Sequence, residues 1–230
     1  MENQLETINN SRPAKGYKGL AMEGFIATWY AKTTQKDLQR HRYMAQTLAK
    51  KIPAGSAVLE IAPGPGYFCI ELARLGDCKI TGLDISKTFV EMARKNAAEA
   101  GLQIDFRLGD AAQMPFKDGS FDFMFCQAAF KNFSYPISAI AEMYRVLRPA
   151  GKAVIVDLRR DASHAEIERY VKSLKLRRLD EWMTSSAFKL MLLKRAYTVQ
   201  EMAEFVSQTP FGEARIELDE IGFQVWLEKG

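Results

Sequence analysis

Histidine and cysteine are scarce in this chain of 230 residues, with two of the first and three of the second. Cys69, Cys78 and Cys126 are odd in number and form no C-x-x-C pair. That pattern argues against a disulfide framework and against a zinc site, and it suits a reducing compartment. No metal is expected. No uninterrupted apolar run approaches the roughly 20 residues of a membrane span, and the first residues contain no apolar segment of the secretory kind. A cytoplasmic protein with no membrane span is therefore expected. Internal repeats and low-complexity tracts are also missing. Charge is nearly balanced, at +4 with a pI near 8.9, so the composition demands no nucleic-acid partner, which would require a clustered basic face. What is present is an ordinary globular profile, 47% hydrophobic and 26% charged. That is enough apolar matter for one large domain, or for one domain with an appended lid.

The most informative stretch is Val58-Leu59-Glu60-Ile61-Ala62-Pro63-Gly64-Pro65-Gly66-Tyr67-Phe68. Its apolar start reads as a strand buried on both faces. The glycines and prolines stop that strand, and Ile70, Leu72, Ala73 and Leu75 continue as a helix over 68–75. A strand, a tight glycine turn and a helix bring free N–H groups and the positive helix end to one spot, where Gly64 and Gly66 let a ligand approach the main chain. Glu60 leaves the strand toward the same crevice.

Around this stretch the chain alternates. Strands are predicted over 56–61, 79–84, 103–108, 121–126 and 152–157. Helices are predicted over 68–75, from the Ser86 cap to Ala100, and over 136–147. That rhythm specifies a mostly parallel sheet covered on both faces. Residues 1–18 show no periodicity and are expected to form a frayed or loosely docked arm. Residues 19–51 supply cap helices and 52–157 the core. Two helices at 163–176 and 180–194 break the rhythm, as a helical insert spanning 163–195. A last helix capped by Thr198, with Glu201 completing a capping box, leads into a closing hairpin at 214–227, so that 198–230 ends a single domain of residues 19–230.

Four features fall at the carboxyl ends of predicted strands, the edge where open parallel sheets bind ligands. They are the glycine turn, Asp84 about 20 residues on, Gly109-Asp110-Ala111, and Cys126-Gln127-Ala128. Singly, Asp84 reads as a helix-terminal charge and Asp110 as a turn residue. Together on one sheet edge they read as a site.

Leu59-Glu60-Ile61-Ala62-Pro63-Gly64-Pro65-Gly66 resembles the E/D-x-G-x-G-x-G motif of class I S-adenosylmethionine-dependent methyltransferases, of the group that includes the ubiquinone/menaquinone-type C-methyltransferases. Gly82-Leu83-Asp84-Ile85-Ser86, Gly109-Asp110-Ala111 and Phe121-Asp122-Phe123-Met124 resemble further motifs. The run Glu142-Met143-Tyr144-Arg145-Val146-Leu147-Arg148-Pro149-Ala150-Gly151 resembles the family's E-x-x-R-V-L-K-P-G-G segment. The resemblance implies a Rossmann-like three-layer αβα sandwich, with a mostly parallel seven-stranded sheet, an antiparallel C-terminal strand and a helical cap. It implies S-adenosylmethionine as cofactor and S-adenosylhomocysteine as product. Glu60 and the backbone of Ala62, Gly64 and Gly66 would hold the methionine end, and Asp84 the ribose hydroxyls with Ile85 on the adenine. Asp110 and Ala111 would meet the adenine amine and ring, and Gln127 would border the sulfonium. Tyr30 resembles the tyrosine that closes over the methionine carboxylate, with a core or lid aromatic as the equal alternative. Ala62 replaces the family's first glycine, and flanking prolines should stiffen the turn.

The expected activity is methyl transfer to a small, fairly apolar acceptor at oxygen, carbon, nitrogen or sulfur. No N/D-P-P-Y/F follows strand 4 as in amino-group methylases. Phe130 could wall the acceptor, and Lys131, Arg159 and Arg160 could attract an anionic one; solvated loop charges are the competing reading. The catalytic base stays unassigned, since His41 and His164 match no motif position. The apolar insert, with Trp182, Met183, Phe188 and Leu190 to Leu193, is expected to be an acceptor lid or a dimer contact, in a monomer or homodimer. Alternatives are an RNA or protein methyltransferase and a catalytically silent, cofactor-binding regulatory subunit.

Overall fold

The computed structural model describes residues 16–18, 22–34, 38–76, 78–173 and 193–230. Seven strands form one sheet: β1 Ala57–Ile61, β2 Lys79–Asp84, β3 Asp105–Leu108, β4 Phe121–Gln127, β5 Leu147–Leu158, β6 Arg215–Leu218 and β7 Gly222–Glu228. Their order is β3-β2-β1-β4-β5-β7-β6. The first five are parallel neighbours, whereas β7 runs antiparallel between β5 and β6. The β1–β2, β2–β3 and β4–β5 connections return over the sheet through helices, a loop joins β3 to β4, and the direction of winding reverses between β1 and β4. That reversal opens a crevice above the carboxyl ends of those two strands.

Side-chain alternation builds the layers. Val58, Phe123, Phe125 and Val154 face one side, against Leu48 of α2 (Leu38–Ala49), Phe68 and Leu72 of α3 (Tyr67–Ala73), and Val90 and Ala93 of α4 (Lys87–Glu99). Leu59, Ile61, Met124 and Ile155 face the other, against Ile140 and Met143 of α5 (Pro136–Val146) and Met202 and Val206 of α7 (Val199–Ser207). The observed architecture is thus the expected Rossmann-like sandwich. α1 (Gly24–Thr34) packs beside α4 and leaves Phe25 and Trp29 exposed. No helix among the described residues is long and apolar enough to cross a membrane.

Several element boundaries differ from the expectation by a residue or a few, and the largest difference is at β5. β5 starts at Leu147, not at Lys152, because Leu147 pairs with Phe121 before a register shift. The Pro149-Ala150-Gly151 stretch bends the strand without ending it, through a left-handed Ala150 at φ 61°. The first insert helix is α6 (His164–Ser173). The second expected helix lies outside the described residues, apart from a 3₁₀ turn at Leu193–Arg195. Trp182, Met183, Phe188 and Leu190 to Leu192 lie outside them too.

The motif over 142–151 has a local purpose. Glu142 Oε2 accepts the Met114 N–H at 2.7 Å, while Arg145 donates to Phe116 O at 2.8 Å, to Met114 O at 3.1 Å and to Asp118 at 2.7 Å. Mutual hydrogen bonds hold the Glu142 carboxyl below its usual range. The pair fastens the loop after β3 to α5, and that loop carries Asp110 as its second residue.

Candidate cofactor site

Three strand ends are tied together at the carboxyl edge of the sheet. Ala62 N–H donates to Leu83 O at 2.8 Å, and Gly109 N–H to Asp84 O at 2.9 Å. The Asp84 side chain joins the ends of β1 and β2. Its Oδ2 accepts the Gly64 N–H at 2.9 Å and its Oδ1 the Ser86 N–H at 2.8 Å. Ser86 then caps α4 by accepting from Phe89 N–H at 3.1 Å. Burial pushes the Asp84 carboxyl up to about 6, against the lowering effect of those two N–H groups. Each carboxylate oxygen still has a lone pair to offer a hydroxyl donor.

Glu60 points to the α3 side, where the Cys69 thiol donates to its Oε2 at 2.8 Å. Burial raises this carboxyl to about 7, and the nearby Asp84 charge adds to the rise while the thiol opposes it. A buried acid with so little to stabilise its charge is suited to meet a cation. Above it, Gly64 sits at φ 54°, and a Cβ built there would meet nothing within 4 Å. The space over the turn is open. Gly66, at φ 79°, starts α3, and its own Cβ would strike Phe106 at 2.9 Å. An acid under an open turn and a second acid with spare acceptor capacity fit a ligand that carries an ammonium group and vicinal hydroxyls.

Ala62 adopts φ 57°, the left-handed conformation the motif's glycine would take without strain. The methyl costs roughly 1–2 kcal/mol there, partly offset by the smaller conformational freedom of alanine in the unfolded chain, about 0.4–1 kcal/mol. Ala62→Gly should therefore stabilise the fold by several tenths of a kcal/mol or more and raise Tm by a few degrees, at about 2–4 °C per kcal/mol. Calorimetry showing a lower Tm would contradict the strain.

The remaining sequence-predicted residues fall as follows. Ile85 follows Asp84 and is partly buried, as is Ala111. Asp110 Oδ1 accepts the Ala112 N–H at 2.8 Å. Gln127 ends β4 and donates to Met44 Sδ of α2 at 2.9 Å. Tyr30 lies edge-on to Phe89 in the first turn of α4, with ring centroids 5.9 Å apart. The four acceptor-side residues are occupied within the protein. Phe130 is fully buried in the core. Lys131 Nζ donates to Asp157 Oδ1 at 2.8 Å and to Ala128 O at 2.6 Å. Arg159 pairs with Glu166 at 2.5 Å and Asp161 at 3.3 Å, and Arg160 pairs with Glu201 at 2.5 Å. No isolated charge in the sequence reveals such pairing, because each partner arrives from a distant segment or a different turn.

Sequence reasoning passed over the segment 16–18. Ser134 N–H donates to Gly16 O at 3.0 Å, Lys18 N–H donates to Asn132 O at 2.7 Å, and Tyr17 forms an antiparallel bridge with Phe133. The Lys18 ammonium reaches the Tyr197 hydroxyl at 2.6 Å. Glu23 binds the first N–H groups of α4, at Lys87 (2.9 Å) and Thr88 (3.0 Å). The signals that could have found this segment are Gly16 and Tyr17, an isolated glycine-aromatic pair in a polar arm.

Residues 59–155 match a family model described as a methyltransferase domain. The demethylmenaquinone methyltransferase of Deinococcus radiodurans is 39% identical over 107 residues, which are 46% of this chain and 44% of that protein. The ubiquinone biosynthesis O-methyltransferase of Nitrosococcus oceani is 35% identical over 108 residues, 46% of this chain and 45% of that protein. The chain thus spans about half the length of the curated relatives it matches. A crystal structure from Methanococcus maripaludis, of a candidate S-adenosyl-L-methionine-dependent methyltransferase, shares the fold at TM-score 0.73 and 21% identity. It covers 92% of this chain and 95% of that one. Residues 59–155, which match the methyltransferase domain, thus place its motifs on the carboxyl edge of a β3-β2-β1-β4-β5-β7-β6 sheet, in a chain that shares its fold with a candidate S-adenosyl-L-methionine-dependent methyltransferase.

Proposed function

We propose that the chain transfers a methyl group from S-adenosylmethionine to a small, fairly apolar acceptor of the quinone-precursor kind that the names of its relatives describe. The observation that carries this reading is the convergence of Glu60, Gly64 and Asp84 at one sheet edge, joined by the Gly64 N–H to Asp84 bond. In this reading Glu60 and the backbone of Ala62 to Gly66 hold the amino-acid end. Asp84 takes the ribose hydroxyls, Ile85 packs on the adenine, Asp110 and the Ala111 N–H meet its polar edge, and Gln127 borders the sulfur. The helices over 19–51 and the insert over 163–195 would cap the acceptor. When bound, the cofactor supplies a methyl group already activated on a sulfonium, so alignment is the main task left to the protein. Calorimetry with S-adenosylhomocysteine, followed by turnover of labelled cofactor against phenols, hydroquinones, thiols and amines, tests the proposal. Absence of affinity for the product would remove it.

The buried acids make a pH prediction. Their folded-state values, about 7 for Glu60 and about 6 for Asp84, lie above the values near 4 expected in an unfolded chain. Their contribution to stability is thus largest below the unfolded values and is lost as pH rises to about 7. A ligand ammonium reverses the preference at Glu60 by favouring the ionised form. Product affinity should therefore fall as pH drops from 7 to 5, by as much as about tenfold per unit, with proton release on binding near pH 6. Titrations in buffers of different protonation enthalpy measure this. Affinity that is flat between pH 5 and 8 would exclude Glu60 as the counter-charge.

A further inference from the structure

Three consecutive residues carry the segment 16–18 from the cofactor side of the crevice to its acceptor side. Gly16 is seated against Asp110, so closely that a Cβ would lie 2.2 Å from Oδ2. Any side chain here would have to push the Asp110 carboxylate aside. Tyr17 is half-buried, and its phenol is raised by burial and by the Asp84 charge while Arg195 lowers it. Tyr17 is thus within electrostatic reach of both the acid that ends β2 and the turn Leu193–Arg195. Lys18 then reaches over the ends of β4 and β5, its ammonium 2.6 Å from the Tyr197 hydroxyl and 5.0 Å from the ring centroid.

Tyr197 is held for this contact. Its ring lies edge-on to Phe205 at 4.9 Å and to Phe130 at 6.0 Å. Its backbone bridges to Arg159, just past the end of β5, and its carbonyl accepts the Arg160 N–H at 3.0 Å. Because the Tyr197 oxygen accepts from an ammonium, its own hydroxyl proton is directed to a further acceptor. Among the described residues no carboxylate pairs with Lys18, whereas Lys131, Arg159 and Arg160 are each matched to one. One cation at this edge therefore keeps an unneutralised charge.

We propose that Lys18 and Tyr197 form an oxyanion-binding pair that receives an ionised hydroxyl of the methyl acceptor, a phenolate or enolate on a small ring. This rests on the methyltransferase reading and narrows its acceptor class to compounds with an acidic hydroxyl. The ammonium supplies charge and the phenol supplies a directional donor, which together favour the anion over the neutral acceptor. The hydroxyl proton passes to solvent as the acceptor binds, and no bond to carbon changes in this step. The strap positions Lys18, so the pair is complete only with Gly16 in place on Asp110.

The probe is 4-nitrophenol, whose anion alone absorbs in the visible, added to protein saturated with S-adenosylhomocysteine at a pH about one unit below the free phenol's pKa. A saturable nitrophenolate band is expected, equivalent to a pKa lowered by about one unit or a tenfold shift in the anion ratio. Lys18→Met should abolish the band and Lys18→Arg should keep most of it. Tyr197→Phe should weaken binding without returning the probe to its neutral form. Product affinity should stay within about twofold in all three, well under the tenfold that 1.4 kcal/mol represents. No band in the parent protein, or an equal band in Lys18→Met, overturns the pair. A Lys18-dependent band in protein that does not bind S-adenosylhomocysteine keeps the pair and removes the cofactor reading instead.

Discussion

Replacing Gly64 by valine is expected to weaken binding of S-adenosylhomocysteine by about a hundredfold or more, equivalent to roughly 2.7 kcal/mol, while the protein stays folded. Two effects act at this position. The backbone sits at φ 54°, a conformation in which a β-branched residue is an outlier and which costs roughly 1–2 kcal/mol for a residue with a Cβ. An added Cβ would meet nothing within 4 Å beyond its chain neighbours, so the side chain would extend into open space, where the proposed cofactor would lie. Relaxation of the strain would also pull the Gly64 N–H from Asp84, 2.9 Å away, and so disturb the ribose acid. Calorimetric titration alongside a melting curve separates the two effects. Parent-like affinity in a folded variant would place the cofactor elsewhere.

The largest loss of stability is expected from Lys131→Met. Lys131 and Asp157 form a buried pair with side-chain exposures of 11% and 1%. Asp157 Oδ2 also accepts the Lys131 N–H at 2.9 Å, and Oδ1 the Leu158 N–H at 2.8 Å. Removing the ammonium leaves a charge in the core beside two N–H donors, and breaking such a pair typically costs about 3–5 kcal/mol. Tm should fall by about 10 °C, at roughly 2–4 °C per kcal/mol for a chain of this size. The double variant Lys131→Met with Asp157→Leu should recover much of the loss, since an apolar pair of similar volume does not carry the desolvation cost. Urea denaturation of the three proteins measures these differences. A single variant as stable as the parent would mean that the pair is solvated. Loss of Lys131 should also release Ala128, a non-glycine residue at φ 55°, and loosen the turn next to Gln127.

These two positions show how far the residues could be read in advance. The Gly64 turn was legible because its constraint is local: strand, turn and helix follow one another within the segment 57–73, and open space lies over the turn itself. The positions of Asp84 and Asp110 were legible for the same reason, Asp84 ending β2 and Asp110 following β3. Lys131 looked like a cation open to an anionic acceptor, because nothing near it in the chain announces Asp157, 26 residues away. The partners of Arg159 and Arg160, Glu166 and Glu201, are likewise not announced by the sequence. The segment 16–18 reads in sequence as the end of a frayed or loosely docked arm because it has no periodicity. Its order comes from partners at 110, 132, 134 and 197.

Hydrophobic alternation and the succession of strands and helices were sufficient to determine a mostly parallel sheet covered on both faces, and the glycines and acids at the strand ends marked one edge of it, while the type of cofactor came from the resemblance of the motifs. The sheet and its edge depend on contacts within one or two neighbouring elements, and the pattern of residue types records such contacts directly. Tertiary structure decided which charges remain available to a ligand, since that depends on which opposite charges the fold brings within about 4 Å. It paired Lys131, Arg159 and Arg160 with carboxylates and delivered Lys18 to Tyr197, across 179 positions of sequence.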